Sequence, residues 1–135
     1  MRYIPDTNIW IYLLRKQENI RQALERALRE DDTQIVVPPV VYFELLRGLE
    51  KRKDSESITF FKKMLDQKQC RYMECTRAIW DLAIQLWVKA CTENKARQDA
   101  DILIAAFAKD LNALLVTENT KDFSHLGIEL TSWAS

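Results

Sequence analysis

Two short apolar runs, Ile35-Val36-Val37 and Leu114-Leu115-Val116-Thr117, set the fold class, because each is bounded by stretches of helical periodicity. Fully buried strands read as continuous apolar segments, and strands separated by helices pair in parallel through crossovers. A third candidate strand, Arg2 to Asp6, opens the chain and ends where Thr7 and Asn8 offer capping side chains to Ile9–Leu14. Pro5 has no amide to donate, so it suits the end of a strand and not its middle. The pattern implies an α/β fold, a three-layer α/β/α arrangement on a mainly parallel, roughly five-stranded sheet.

The segments between these strands repeat at three and four residues. Ile20, Ala23, Leu24, Ala27 and Leu28 predict a helix over about Glu18 to Asp31. Pro38-Pro39 ends the second strand and starts an apolar helix, Val40 to Gly48, interrupted by one acid, Glu44. Lys51 to Asp54 reads as a charged turn, followed by a helix through Phe60, Phe61, Met64 and Leu65 and a short strand at Cys70 to Glu74. Thr76 to about Glu93 is the longest helix. On it Trp80 and Trp87 mark one stripe, which in most proteins is core and less often interface. Asn94 to Gln98 breaks that helix, Asp99 to Leu111 forms another, and Glu118 to Phe123 is a polar loop or single turn. Ile128 to Leu130 is expected as a final edge strand. A chain of 135 residues is sufficient for one domain, taken as 1–135.

The scarcities narrow the chemistry. One histidine, His125, leaves no histidine pair, and two glycines allow neither a P-loop nor GxGxxG. Cys70, Cys75 and Cys91 lack metal-ligand spacing and read as reduced, structural thiols. Lys and Arg total 20 against 20 for Asp and Glu, so bulk charge does not announce a nucleic-acid binder and any such role needs local segregation. No apolar run reaches the roughly 20 residues of a membrane span, and the N-terminus shows no basic-then-apolar leader, which predicts a cytoplasmic protein without membrane contact.

The acids, in contrast, can meet. Ligand sites of open parallel sheets collect at the carboxyl ends of the strands. Asp6 ends the first strand, Glu44 lies about two turns into the helix leaving the second, and Asn119 and Asp122 follow Val116-Thr117. The helix beginning at Asp99 runs antiparallel to the strand it feeds, which returns its first turn to the same edge. Within a regular helix Asp99 and Asp101 diverge by about 200°, so both cannot face one ion. An N-cap position could redirect Asp99, and Asp101 is the stronger ligand candidate.

Clustered carboxylates raise one another's pKa and need a cation or a proton to persist at neutral pH. Mg²⁺, with Mn²⁺ able to substitute, is the natural answer for all-oxygen donors and can activate water on a phosphodiester. The cations Arg47, Lys51 and Arg52 adjoin Glu44 and could engage a phosphate; an ion pair between Glu44 and Arg47 is the plainer reading of that helix face.

Four stretches in this order carry a family resemblance: Pro5-Asp6-Thr7-Asn8-Ile9-Trp10, Val41 to Gly48, Asp99 to Ala106, and Thr117 to Phe123. The chain resembles the PIN-domain family over nearly its whole length, in particular the toxin ribonucleases of VapBC-type toxin–antitoxin pairs. That resemblance implies a PIN-like fold and a metal-dependent endoribonuclease that cleaves structured RNA, tRNA or rRNA loops, and so arrests translation and growth. It implies metal-ligand roles for Asp6 and Asp101, with Glu44 completing the triad and orienting or activating the attacking water. Asp99 is then an auxiliary acid. The fourth family acid falls on Asn119 or Asp122, and Thr7 and Asn8 position Asp6 or a metal-bound water or simply cap the helix. A homodimer, a cognate VapB-type antitoxin and possibly a higher toxin–antitoxin oligomer are the implied partners. A catalytically silent PIN-fold module that binds RNA or protein is the alternative.

Overall fold

The computed structural model describes residues 1–134. In chain order the elements are β1 (Arg2–Pro5), α1 (Thr7–Leu14), α2 (Glu18–Leu28), β2 (Gln34–Val37), α3 (Pro39–Lys51), α4 (Ser55–Met64), β3 (Cys70–Tyr72), α5 (Arg77–Thr92), α6 (Asp99–Leu111), β4 (Leu114–Val116), α7 (Thr120–Phe123), a 3-10 turn (Ser124–Leu126) and β5 (Leu130–Thr131). The five strands form one sheet in the order β3-β2-β1-β4-β5, and every neighbouring pair is parallel. The expected parallel α/β sheet is therefore the one observed.

Ile4, Ile35, Val36, Val37, Leu115 and Val116 are fully buried. Successive strand residues point to opposite faces, so complete burial of Ile35, Val36 and Val37 in a row means that helices cover both sides of β2. Trp10 of α1 meets Phe61 of α4 edge-on, with ring centroids 5.0 Å apart. Both rings are buried, each contributing about 1.5–3 kcal/mol by leaving water.

Register positions the site. Ile4 pairs with Leu115 and Pro5 with Val116, so the next residue of each strand, Asp6 and Thr117, emerges side by side at the carboxyl edge. Pro5 is tolerated in this central strand because it is the last residue, and the ladder is resumed by Asp6 N–H donating to Val116 O at 3.0 Å.

Several boundaries differ from the sequence expectations. Helix α2 stops at Leu28, before Glu30-Asp31-Asp32, because three acids in the final turn would oppose the negative end of the helix dipole. Helix α3 retains Lys51, so the turn begins at Arg52 and is completed by Lys53 in the left-handed region at φ 57°. The last strand is Leu130–Thr131 and lies two residues later than Ile128; it is the expected edge strand beside β4. Thr7 and Asn8 do not cap α1. Asp6 does, its Oδ1 accepting from Ile9 N–H at 3.0 Å. Trp80 and Trp87 are 50% and 40% exposed, so this stripe is surface, while Ile79, Ala83, Leu86 and Ala90 form the buried face of α5.

Candidate functional site

Asp6 sits just past β1 in extended backbone, buried, with both carboxylate oxygens engaged. Oδ1 takes the Ile9 amide, and Oδ2 accepts from the Thr117 hydroxyl at 2.5 Å. Burial pushes the Asp6 carboxyl above its ordinary range, and Glu118 adds to the effect; the Thr117 hydroxyl and the amides of Ile9 and Asn8 work in the opposite sense. Thr117 is itself buried at the end of β4, and its Oγ1 also accepts from Asn119 N–H at 3.0 Å. One hydroxyl therefore joins the first strand's acid to the loop that leads into α7.

Glu44 comes from α3 and is held at Oε1 by the Thr7 hydroxyl, 2.8 Å away. Its Oε2 lies 4.0 Å from Arg47, at the limit of an ion pair, with Glu44 25% and Arg47 60% exposed. The Glu44–Arg47 pairing is consequently loose, and Thr7 is the tighter restraint.

Asp101 is the third residue of α6 and half-buried. Its carboxyl is pushed up to about 6, first by burial and then by the charges of Asp122, Glu44 and Asp6. These three acids come from α7, α3 and the β1–α1 junction, so the fold brings together carboxylates separated by most of the chain. Asp122 is oriented by Asn119, whose side-chain amide donates to Oδ2. Of the two residues proposed for the fourth position, Asp122 thus supplies the charge and Asn119 steadies it.

Asp99 is not brought in. Gln98 occupies the N-cap, Asp99 is already helical, and the redirection that a cap position would have allowed is absent. Asp99 is exposed and is not among the charges that raise Asp101, as its position about 200° away around the helix requires. Asn8 is exposed beside Asp6. Lys51 and Arg52 lie at the far end of α3, about 10 Å or more below Glu44 at 1.5 Å per residue. Arg52 lines a cavity with Ile11, Leu14, Arg15, Leu49, Asp54 and Ser57, which includes none of Asp6, Glu44, Asp101 and Asp122. Of the three candidate phosphate contacts only Arg47 stays at the cleft.

Sequence reasoning assigned no role to Thr117, the residue that links the two strand ends. A hydroxyl directly after a buried run, two residues before an Asn, was the available signal. His125 also had no assigned role, and its Nε2 lies 2.7 Å from Ala96 O, tying the turn after α7 to the loop before α6.

The donor set is all oxygen. Among the described residues no three Asp, Glu, His or Cys side chains close on a single point as a preformed cage.

A family model for the PIN domain matches residues 3–129. Solved structures of similar fold include VapBC2 from Rickettsia felis bound to a DNA fragment from their promoter, at 24% identity and TM-score 0.87, covering 98% of this chain and 99% of that one. VapBC-1 from nontypeable Haemophilus influenzae is 23% identical with TM-score 0.86, covering 100% of both chains. VapC20 from Mycobacterium tuberculosis, a sarcin–ricin loop cleaving toxin, is 16% identical with TM-score 0.66, covering 93% of this chain and 95% of that one. At these identities the likeness is one of fold. No curated protein sequence matches the chain.

Proposed function

The chain belongs to the PIN-domain family, and from that premise we propose that it is a Mg²⁺-dependent endoribonuclease, the toxin of a VapBC-type toxin–antitoxin pair. The observation that carries this reading is the convergence of Asp6, Glu44 and Asp122, from the β1–α1 junction, α3 and α7, on half-buried Asp101 at the start of α6, where burial and then their charges push its carboxyl up to about 6. A fold stabilised by these groups alone would not gather four repelling acids, whereas a divalent cation makes the gathering favourable. Asp6, Asp101 and Glu44 are the residues that would hold the ion, and Mn²⁺ suits the same oxygen donors. When bound, the metal supplies Lewis-acid polarisation of the phosphodiester and a lowered pKa for water.

The chain's own residues do the positioning. Thr117 and the Ile9 amide fix the Asp6 carboxylate, Thr7 fixes Glu44 through Oε1, and Asn119 fixes Asp122. Glu44 Oε2 carries no comparable hydrogen bond and accepts the proton of the attacking water. Arg47 draws the substrate phosphate toward that edge.

RNA is the substrate of this reading, with tRNA or rRNA loops as the first candidates; the solved neighbour VapC20 is a sarcin–ricin loop cleaving toxin. A cognate VapB-type antitoxin and a second copy of this chain are the partners. Exposed Trp80, Ile84, Trp87 and Val88 on α5 provide an apolar surface for the second copy. Cytoplasmic RNA is the target, and no helix among the described residues is long and apolar enough to cross a membrane.

Incubation of purified protein with total tRNA and rRNA and Mg²⁺ tests the proposal. Cleavage should require Mg²⁺ or Mn²⁺ and disappear in Asp6→Asn and Asp101→Asn. Cleavage that survives both substitutions, or the absence of cleavage and of divalent-ion binding in the wild type, overturns it in favour of a silent binding module.

A further inference from the structure

Phe43 directly precedes Glu44 on α3, and its ring is 59% exposed. Arg47, one turn further on, places its guanidinium carbon 4.9 Å from the ring centroid and one of its nitrogens 4.0 Å from Glu44 Oε2. At 100° per residue, Arg47 lies about 40° from Phe43 and about 60° from Glu44 around the helix axis. The three side chains therefore form one strip, running from the acidic cleft through a cation to an aromatic plane.

The neighbouring Tyr42 turns to Phe61 and Tyr72, with centroids 6.1 and 5.3 Å away, while among the described residues the ring contact of Phe43 is with Arg47. An exposed phenyl ring keeps an apolar face hydrated, which is unfavourable unless something covers it. A ring stacked with a guanidinium offers a flat surface to a base and N–H donors to a phosphate.

We infer that Phe43 and Arg47 form a nucleotide subsite, in which an unpaired base lies on the ring–guanidinium pair and its phosphate on Arg47, beside the bond presented to Glu44 and Asp101. The class of ligand rests on the ribonuclease reading above. Bases within a duplex already have both faces covered, so this subsite takes an unstacked nucleotide and excludes a paired one. A protein contact is the other use of an exposed ring. Trp87 on the α5 surface also has a cation over its ring, Arg97 at 5.8 Å, and the strip at Phe43 differs in that its cation lies 4.0 Å from Glu44, at the edge of the acids.

Fluorescence anisotropy of labelled single-stranded and duplex RNA in EDTA, where no cleavage occurs, reads the subsite directly. Phe43→Ala should weaken single-stranded RNA about five- to a hundredfold and leave the duplex unchanged, while Phe43→Trp retains binding. Arg47→Ala should weaken both RNAs and reduce the slope of log affinity against log salt by about one. Single-strand affinity unchanged within twofold in Phe43→Ala, equal loss of both RNAs, or no RNA binding by the wild type overturns the subsite. So does a Phe43→Ala protein whose oligomeric state changes while its RNA affinity does not. Cleavage assayed in parallel separates the two claims. An indifferent Phe43→Ala with normal wild-type cleavage removes the subsite alone, and Phe43-dependent binding without Mg²⁺-dependent cleavage removes the nuclease reading alone.

Discussion

The Thr117 hydroxyl donates to Asp6 Oδ2 at 2.5 Å although the two residues are 111 positions apart. Parallel pairing of β1 with β4 makes them neighbours, and the same oxygen, Thr117 Oγ1, accepts the Asn119 amide. Thr117→Val keeps the shape and removes both interactions. Denaturant titration should show a loss of about 1–3 kcal/mol, because buried Asp6 loses a partner. Calorimetry should show Mg²⁺ affinity lowered about tenfold, the usual effect of removing a group that orients a ligand, and Thr117→Ser should restore both.

Asp101 and, in the same sense, the buried Asp6 set the pH response of this cleft. The folded-state Asp101 carboxyl titrates at about 6, above the ordinary 3.8, so between these values the metal-free native state holds a proton that the unfolded chain has released. The metal-free protein is accordingly stabilised as pH falls from 7 toward 4 and bears the full penalty above 6. Allowing for solvent screening at this half-buried group, Asp101→Asn should stabilise the metal-free protein at pH 7 by about 1–2 kcal/mol and by much less at pH 4. Mg²⁺ reverses the trend, since it requires the ionised form: its affinity should fall as pH drops below about 6. Chemical denaturation at both pH values, with and without Mg²⁺, checks each sign.

The strand runs, the α6 start and the meeting of Asp6, Glu44 and Asp101 were legible because they depend on periodicity and on the rule that parallel strands direct their carboxyl ends to one edge. What escaped was set by single hydrogen bonds. Thr7 reads equally well as a cap or a positioning group, and only the 2.8 Å contact to Glu44 decides it. Thr117 and the Asn119–Asp122 pair depend on side-chain directions that spacing does not encode. The aromatic stripe on α5 has helical periodicity whichever way it faces. Its exposure follows from the competing stripe at Ile79, Ala83, Leu86 and Ala90, which packs inward.

That outer stripe predicts an oligomer. Trp80, Ile84, Trp87 and Val88 are 50%, 62%, 40% and 52% exposed on one side of α5, an apolar patch on the order of 400 Å², about half of what each partner buries in a standard interface. Two copies of α5 packed antiparallel about Ile84 would set Trp80 of each against the Trp87–Val88 turn of the other. Analytical ultracentrifugation should find a dimer for the wild type and a monomer for Ile84→Lys combined with Trp87→Lys. Helicity should be unchanged, since neither side chain belongs to the core. A monomeric wild type at micromolar concentration would reject this surface as the seat of a second copy.

Asp122 and Asp99, the two acids next in line after Asp6, Glu44 and Asp101, should not contribute equally. Asp122 raises the Asp101 carboxyl more than any other charged group does, and Asn119 holds it in place; Asp99 is exposed on another side of the helix. Asp122→Asn should therefore lower Mg²⁺ affinity or cleavage about 10–100-fold, as expected for a group acting on the bound ion or on its ligand. Asp99→Asn should change either by less than about twofold, the scale of a screened surface charge. Side-by-side calorimetry and cleavage assays of the two variants separate the acid that faces Asp101 from the one that does not. Equal losses would mean that Asp99 turns inward when the ion binds, which a helical Asp99 beneath a Gln98 cap cannot do without unwinding the first turn of α6.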